Sequence, residues 1–302
     1  MTTGTITRSE IDRTEIDAVL ASIEDLPSIP ETLIHILNVI DDPDSGPAEL
    51  AAAVRRDAPL MAKILKLANS PYYSPRGGIA DINRCVAVLG YRTVRQVAVC
   101  VSVASAVVSA VEDSAGELDY RELWRHSVVT AAIAKHLAQH AGHADPEQIF
   151  TAGLLHDVGK FVIELHAPEI YADVIRNRAQ SHLRLSDAEF EAFGFDHALL
   201  GESFARAWRF PEILARTFGA HHDDMGSAES DNASWYNTAL VALADYLANT
   251  IEPSRSDLGF DPTHIDVQAL HLAANVTIEA VEENLSAMRE SIANASSYLN
   301  IS

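Results

Sequence analysis

Cysteine is nearly missing from this 302-residue chain: Cys85 and Cys100 are the only two. They cannot build a disulfide framework or a cysteine-rich zinc module. Basic residues are scarce as well. The chain has 22 Lys and Arg against 43 Asp and Glu, a formal charge of −21. Such a chain gains nothing from the phosphate neutralisation that dominates nucleic-acid affinity. Neither DNA nor RNA is therefore expected as the main partner, and anionic membranes are disfavoured on the same ground. No long apolar run reaches the ~18 residues of a spanning helix. The nearest, VAVCVSVASAVVSAV from Val97 to Val111, is spotted with serines and reads as a buried core helix. The opening residues MTTGTITRSEIDRTEID are polar and charged, unlike a secretory signal. A soluble, cytoplasmic protein is expected. Alternating β-branched segments bounded by turns are lacking too, as are internal repeats and low-complexity stretches.

What the chain does have is helical spacing and enough apolar residues, 48%, for a sizeable core. Its length suggests about two domains. In IPETLIHILNVIDD, Ile29, Leu33, Ile36, Leu37 and Ile40 follow the three-and-four pattern of one helical face. Pro30 and Pro47 suit first helical turns, where a missing N–H costs nothing. A helix over APLMAKILKLA stops at Asn69-Ser70-Pro71. Asp145 before Pro146, and Asp196 before HALLGESFARAW, read as N-caps. SDAE, residues 186–189, matches a capping box. A polar seam near residue 115 divides the chain. The expected architecture is all-α: a polar segment 1–19, an N-terminal helical half 20–115, a second helical half 116–252 packed against it, and a helical tail 253–302. The two tyrosines of LANSPYYSP read as packing and turn residues ahead of an exposed surface for a partner.

The chain has 13 histidines, of which only His35 precedes residue 126. His126 continues the apolar stripe Val129, Ile133, Leu137; alone it reads as a core residue ahead of a ligand. In AGLLHDVGK, residues 152–160, an adjacent His156 and Asp157 end an apolar helix. A buried pair of that kind is expensive unless something uses it. Asp245, in ALVALADYLAN, has no basic residue nearby. It has to be solvated, paired from elsewhere, or bound to a cation. His197 opens a helix, and His221 and His222 are adjacent in GAHHDD. His136, His140, His143, His166, His182, His264 and His271 read as surface or helix-end residues with no assigned role.

The order His126, His156-Asp157, Asp245 resembles the HD superfamily of metal-dependent phosphohydrolases, in which a helical bundle holds one or two divalent ions. More closely, residues from about 20 to 250 resemble the HDOD family, the HD-related output domain of bacterial signalling. The stretches that carry this include LPSIPETLIHILNVIDDPDSGPAELAAAVRRDAPLMAKILKLANSPYYS, LWRHSVVTAAIAKHLA, FTAGLLHDVGK and FGFDHALLGESFARAWRFPEILARTFGAHHD. The ligand order is also similar to that of the HD-GYP relatives, which hydrolyse cyclic dinucleotides. That likeness implies a metal set of Glu122, His126, His156, Asp157, His197, His221, His222 and Asp245. It implies catalytic roles for Asp157, as the bridge between two ions, and for Lys160, toward a substrate phosphate. It departs after His221-His222, where DDMGSAESDN replaces the Gly-Tyr-Pro segment. The loss of that segment counts against cyclic-dinucleotide hydrolysis and leaves the metal set untouched.

Three functions stay open. The first is an HDOD-type signalling module that keeps a metal site and passes a state to an unidentified signalling protein. The second is a phosphohydrolase acting on a nucleotide or other phosphorylated small molecule. The third is a nucleotide sensor without turnover. Oxygen and nitrogen ligation without cysteine suits Fe, Mn or Ni as well as Zn. Neither the choice among these metals nor the oligomeric state can be read from the sequence.

Overall fold

The structure is a computed structural model, and it describes residues 13–23, 28–73, 78–112, 116, 118–181, 183–225, 233–254, 262 and 265–300. Among the described residues every regular element is a helix. The N-terminal part holds α1 (Arg13–Ser22), α2 (Glu31–Asp41), α3 (Pro47–Val54), α4 (Ala58–Ala68), α5 (Ile82–Leu89) and α6 (Tyr91–Glu112). The second part holds α7 (Tyr120–His140), α8 (Pro146–Leu155), α9 (Val158–His166), α10 (Pro168–Ser181), α11 (Leu185–Phe193), α12 (His197–Ala207), α13 (Glu212–Ala220) and α14 (Ala233–Ile251). The tail adds α15 (Val267–Ala273), α16 (Ile278–Ala295) and a short 3-10 turn, Ser296–Asn300. The expected all-α class is what the chain adopts.

Capping chemistry explains where several helices begin. Asp145 accepts from the Gln148 N–H with Pro146 at the first helical position, and Asp196 accepts from the Leu199 N–H, both as expected. Asp57, Asp81 and Thr277 cap α4, α5 and α16 in the same way. Each satisfies an amide that the helix cannot reach. The SDAE reading is corrected: α11 starts at Leu185 with Arg184 in the capping position, and Glu189 points into the protein.

The long apolar helix is α6, long and apolar enough by composition to cross a membrane. Here it is a core element. Val97 to Val111 are mostly buried, and α6 packs on α2 to α5 on one side and on α7, α8 and α9 on the other. It joins the two halves. α1 begins inside the segment expected as a polar lead, 1–19, burying Ile16 there and Leu20 just beyond it, and it packs on α12, distant in the chain. The tyrosines of LANSPYYSP pack inward as read. Tyr72 and Tyr73 meet Tyr298 edge-on and by a 2.6 Å hydroxyl contact, respectively. Tyr298 also packs against Phe150 with the rings tilted, and its carbonyl accepts from the Trp124 indole. The tail thereby pins α4, α7 and α8 together.

One contact sets the position of the helices that matter most. Gly159, in the first turn of α9, lies so close to α12 that a Cβ there would stand 1.8 Å from the His197 carbonyl oxygen and 2.9 Å from the Gly201 nitrogen. Both are backbone atoms, which cannot swing aside. Gly159→Ala is expected to cost about 2–3 kcal/mol or more through forced separation of the helices. Urea unfolding at pH 7 measures this, and a loss under ~0.5 kcal/mol would show that the interface yields.

Candidate metal centre

Helix ends bring the polar residues together. His156 follows the last turn of α8, Asp157 precedes α9, His197 opens α12, and His221 follows α13. His126 and Asp245 come from the middles of α7 and α14. Helix C-termini leave carbonyls without partners, and the site uses this twice. His156 Nδ1 donates to Gly153 O at 2.8 Å, and His221 Nδ1 donates to Phe218 O at 2.7 Å. A carbonyl only accepts, so Nδ1 carries the proton and Nε2 keeps its lone pair. Those two Nε2 atoms and Asp157 Oδ1 are buried with no hydrogen-bond partner.

Asp157 is the centre, 1% exposed. Its Oδ2 faces Lys160 Nζ at 2.8 Å, His156 Nε2 at 3.4 Å and His126 Nε2 at 4.0 Å. Its Oδ1 faces His197 Nε2 at 3.4 Å and His221 Nε2 at 3.6 Å. The two oxygens thus look toward two groups. Asp245 Oδ1 completes the first, 2.8 Å from His126 and 3.8 Å from His156. His222 completes the second, its Nε2 2.8 Å from that of His197. Asp245, with no basic residue near it in the sequence, meets His126 across space and the Asn249 amide one turn on along its own helix.

Glu122 is not drawn in. Its carboxylate accepts from Arg125 Nε at 3.0 Å and Ser254 Oγ at 3.3 Å. It stands four residues before His126 on the same helix face, and the guanidinium one turn on holds it. Glu189 is the residue sequence reasoning missed. Fully buried, it accepts from the His197 backbone N–H at 2.9 Å, from His197 Nδ1 at 2.5 Å and from the Tyr171 hydroxyl at 2.9 Å. Its signal was its spacing: Leu185 and Glu189 are the two buried residues of α11, four apart. The His197 ring is thereby fixed with Nε2 toward Asp157.

Burial and charge oppose each other here. Burial alone would raise the Asp157 pKa, yet His156, Lys160, His221 and His197 hold it well below the usual value. Asp245 is drawn down to about 2, its burial overcome by His126 and His156. Burial lowers His156 to about 4. His222 is also held well below its usual value, by burial and then by His221 and His197. Lys160 goes up, the pull of Asp157 exceeding its burial. His156 and His222 are thus held neutral and Asp157 and Asp245 ionised, the states a metal ion needs. Two buried carboxylates, Asp157 and Glu189, and the half-buried Asp245 share one buried ammonium, Lys160. The donor set, nitrogen and oxygen only, suits a divalent metal ion.

A cavity of about 330 Å³ opens over the cluster, with His126, Lys160, His197, His221, His222 and Asp245 on its wall. Part of the opposite wall, Ile265, Asp266 and Leu270, comes from the tail around α15. Of the segment that replaces Gly-Tyr-Pro, residues 226–232 lie outside the described residues, as do His182 and His264.

A helical bundle gathering His, His-Asp and Asp around a buried carboxylate defines an HD-type site. The HDOD domain model matches residues 26–224, and the chain belongs to the HDOD domain family, a family of signalling and regulatory proteins. The fold is similar to that of an HDOD domain protein of unknown function from Geobacter sulfurreducens, with a TM-score of 0.75, 26% identity and coverage of 95% of this chain and 99% of that one. It is also similar to a candidate phosphohydrolase from Shewanella amazonensis, with a TM-score of 0.71, 24% identity and coverage of 93% and 98%. A Treponema pallidum protein without an assigned function is 26% identical over 212 residues, 70% of this chain and 40% of that one. The chain thus spans well under half the length of that curated relative. Asp245 and the tail wall of the cavity lie beyond the matched residues.

The shifts give a pH dependence for chelator-treated protein. His156 titrates near its ordinary 6.5 when unfolded and at about 4 when folded. Its neutral folded form is favoured above 6.5, and stability drains away as pH falls from 6.5 toward 4. Asp245 adds to the loss only lower, from 3.8 toward about 2. From pH 7 to pH 5, His156 alone is expected to remove about 2 kcal/mol. Urea unfolding at the two values measures it, and a His156→Gln variant should flatten the slope.

Proposed function

We propose that this HDOD protein binds two divalent metal ions around Asp157 and hydrolyses a small phosphate ester in the cavity above them. The observation that carries this reading is the set of unpartnered buried donors, His156 Nε2, His221 Nε2 and Asp157 Oδ1, gathered beneath a cavity whose wall includes His221. Buried polar atoms without partners are rare, and several at one point call for a ligand. His126, His156 and Asp245 would hold one ion, and His197, His221 and His222 the other, with one Asp157 oxygen toward each. Bound ions supply Lewis-acid polarisation of a phosphoryl oxygen and a nucleophilic water at neutral pH. Lys160 orients Asp157 through its 2.8 Å contact and faces the cavity, where a further ammonium N–H can meet a phosphoryl oxygen. Glu189, backed by Tyr171, keeps the His197 ring from turning.

The family setting makes the consequence regulatory: the state of the cavity is what a partner would read. The Lys160–Asp157 pair favours one second reading, occupancy sensing without turnover, because a lysine committed to Asp157 serves the site even when nothing is cleaved.

Protein purified without chelator and reconstituted with Mn²⁺ or Fe²⁺ is expected to hold about two equivalents per chain. Less than about a tenth of an equivalent of any transition metal would end the reading. Asp157→Asn is expected to abolish hydrolysis of p-nitrophenyl phosphate or its diester, by ~10³-fold or more. Metal loading with no Asp157-dependent turnover would select the sensing alternative. Glu189→Gln, isosteric and still foldable, is expected to weaken metal affinity ~10–100-fold. Competition with a fluorescent chelator reads that shift directly.

A further inference from the structure

Helix α14 turns one stripe toward the cavity. Ala242, Asp245 and Asn249, three and four residues apart, all stand on its wall. Asp245 belongs to the buried cluster; Asn249 stands outside it and is half-buried. The Asn249 amide is held from one side. Its Nδ2 donates to the Asp245 backbone carbonyl at 3.0 Å and to Asp245 Oδ1 at 3.1 Å. A carbonyl and an ionised carboxylate only accept. Turning the amide over would set its oxygen against both of them, so its orientation is fixed. The helix carbonyl keeps it fixed whatever else Asp245 Oδ1 binds. Asn249 Oδ1 itself takes no hydrogen bond among the described residues. The amide therefore brings one aimed and unused acceptor to the cavity wall.

We infer that Asn249 is a specificity-determining residue, whose Oδ1 reads a hydroxyl on the carbon skeleton of a phosphate-bearing ligand. The ligand class it favours is a phosphorylated polyol or sugar over an alkyl phosphate of the same size. This rests on the reading of the cluster as a metal site that takes the phosphate. Asn249 lies one helical turn, about 6 Å of rise, beyond Asp245. A phosphate held at the cluster thus leaves the atoms next to it within reach of the amide. Ala242, Ile265 and Leu270, also on the wall, carry no polar group that could do the same. An acceptor open to solvent bonds water. An alkyl ligand that displaces the water gives nothing back, while a hydroxyl restores the bond. The cost of the unmade bond therefore falls on the ligand without a donor, which is how a polar wall discriminates. The cavity of about 330 Å³, at the small end for ligands, suits a small molecule of this kind.

Phosphonates test this without turnover, since their C–P bond is not cleaved. The full chain, loaded with Mn²⁺, would be titrated calorimetrically with ω-hydroxyalkylphosphonates of increasing length and with alkylphosphonates that carry a methyl in place of the hydroxyl. At the best length, the hydroxyl ligand is expected to bind about fivefold or more tighter than its methyl counterpart. In Asn249→Leu, close in size and without the amide, that preference is expected to fall below about twofold while inorganic phosphate binds as before. A role confined to steering Asp245 predicts another pattern, in which both ligands and inorganic phosphate weaken together with the metal. Asn249→Ala, which favours the helix, repeats the comparison without the leucine's bulk. Equal affinity of hydroxyl and methyl ligands for the unsubstituted protein, or a preference that survives both substitutions, would overturn the inference and leave the metal site standing. Loss of Mn²⁺ from both variants would assign Asn249 to Asp245 alone and overturn it as well. If the unsubstituted protein takes up no metal, or binds neither inorganic phosphate nor any phosphonate, this inference and the hydrolase reading fall together.

Discussion

A buried negative charge organises this molecule. Asp157 is 1% exposed, and four imidazoles and one ammonium stand around its two oxygens. An ionised carboxylate at that depth is tolerable only with compensating groups on several sides. Those groups come from α7, the α8–α9 junction, α9, α12 and the end of α13, so these elements have to meet. The meeting is possible because Gly159 lets the α9 backbone touch that of α12. A side chain there would hold His197 away from Asp157. The glycine two residues after the Asp in AGLLHDVGK is therefore as much a part of the site as the His-Asp pair, although it carries no donor.

Much of the fold was legible because helical periodicity and capping are local. Asp145 and Asp196 cap where their positions before an apolar-periodic run said they would. The apolar helix around Val97–Val111 is core, as its serines implied, although α6 as a whole is longer than that apolar run. What failed was also local reasoning, at points where a tertiary partner decided the outcome. SDAE has the residues of a capping box, but its Glu189 is more strongly used by the His197 imidazole and the Tyr171 hydroxyl than by a backbone amide. Glu122 has the right spacing to share a face with His126. Spacing fixes a face and leaves the side-chain direction open, and Arg125 with Ser254 settled that direction. The polar composition of the first residues hid Ile16 and Leu20, whose burial depends on α12, nearly two hundred residues away in the chain.

The ligand set itself was not legible from periodicity. His126 and Asp245 sit in helices whose patterns call for apolar residues, and each looked like an oddity until the other was placed 2.8 Å from it. The resemblance to HD proteins supplied the order, and the fold supplies the reason for that order. Each histidine stands where a helix can both present it and orient it. His156 and His221 borrow unsatisfied last-turn carbonyls, and His197, at a helix start where no carbonyl is free, uses Glu189 instead. Helix polarity thus dictates which kind of group can steer each ring.

The site is assembled from two stretches of the chain, one inside the span of the HDOD model and one after it. The HDOD match ends at residue 224, so it contains the His-Asp pair, His197 and both histidines of GAHHDD. Asp245, Ile265, Asp266 and Leu270 come from α14 and the segment leading into α15. The matched region can therefore gather most of the donors but cannot finish the cavity. Closing it falls to the tail, which α16 and Tyr298 anchor on α7 and α8. The floor of the cavity is thus built by the matched region together with Asp245, and part of the opposite wall by the tail.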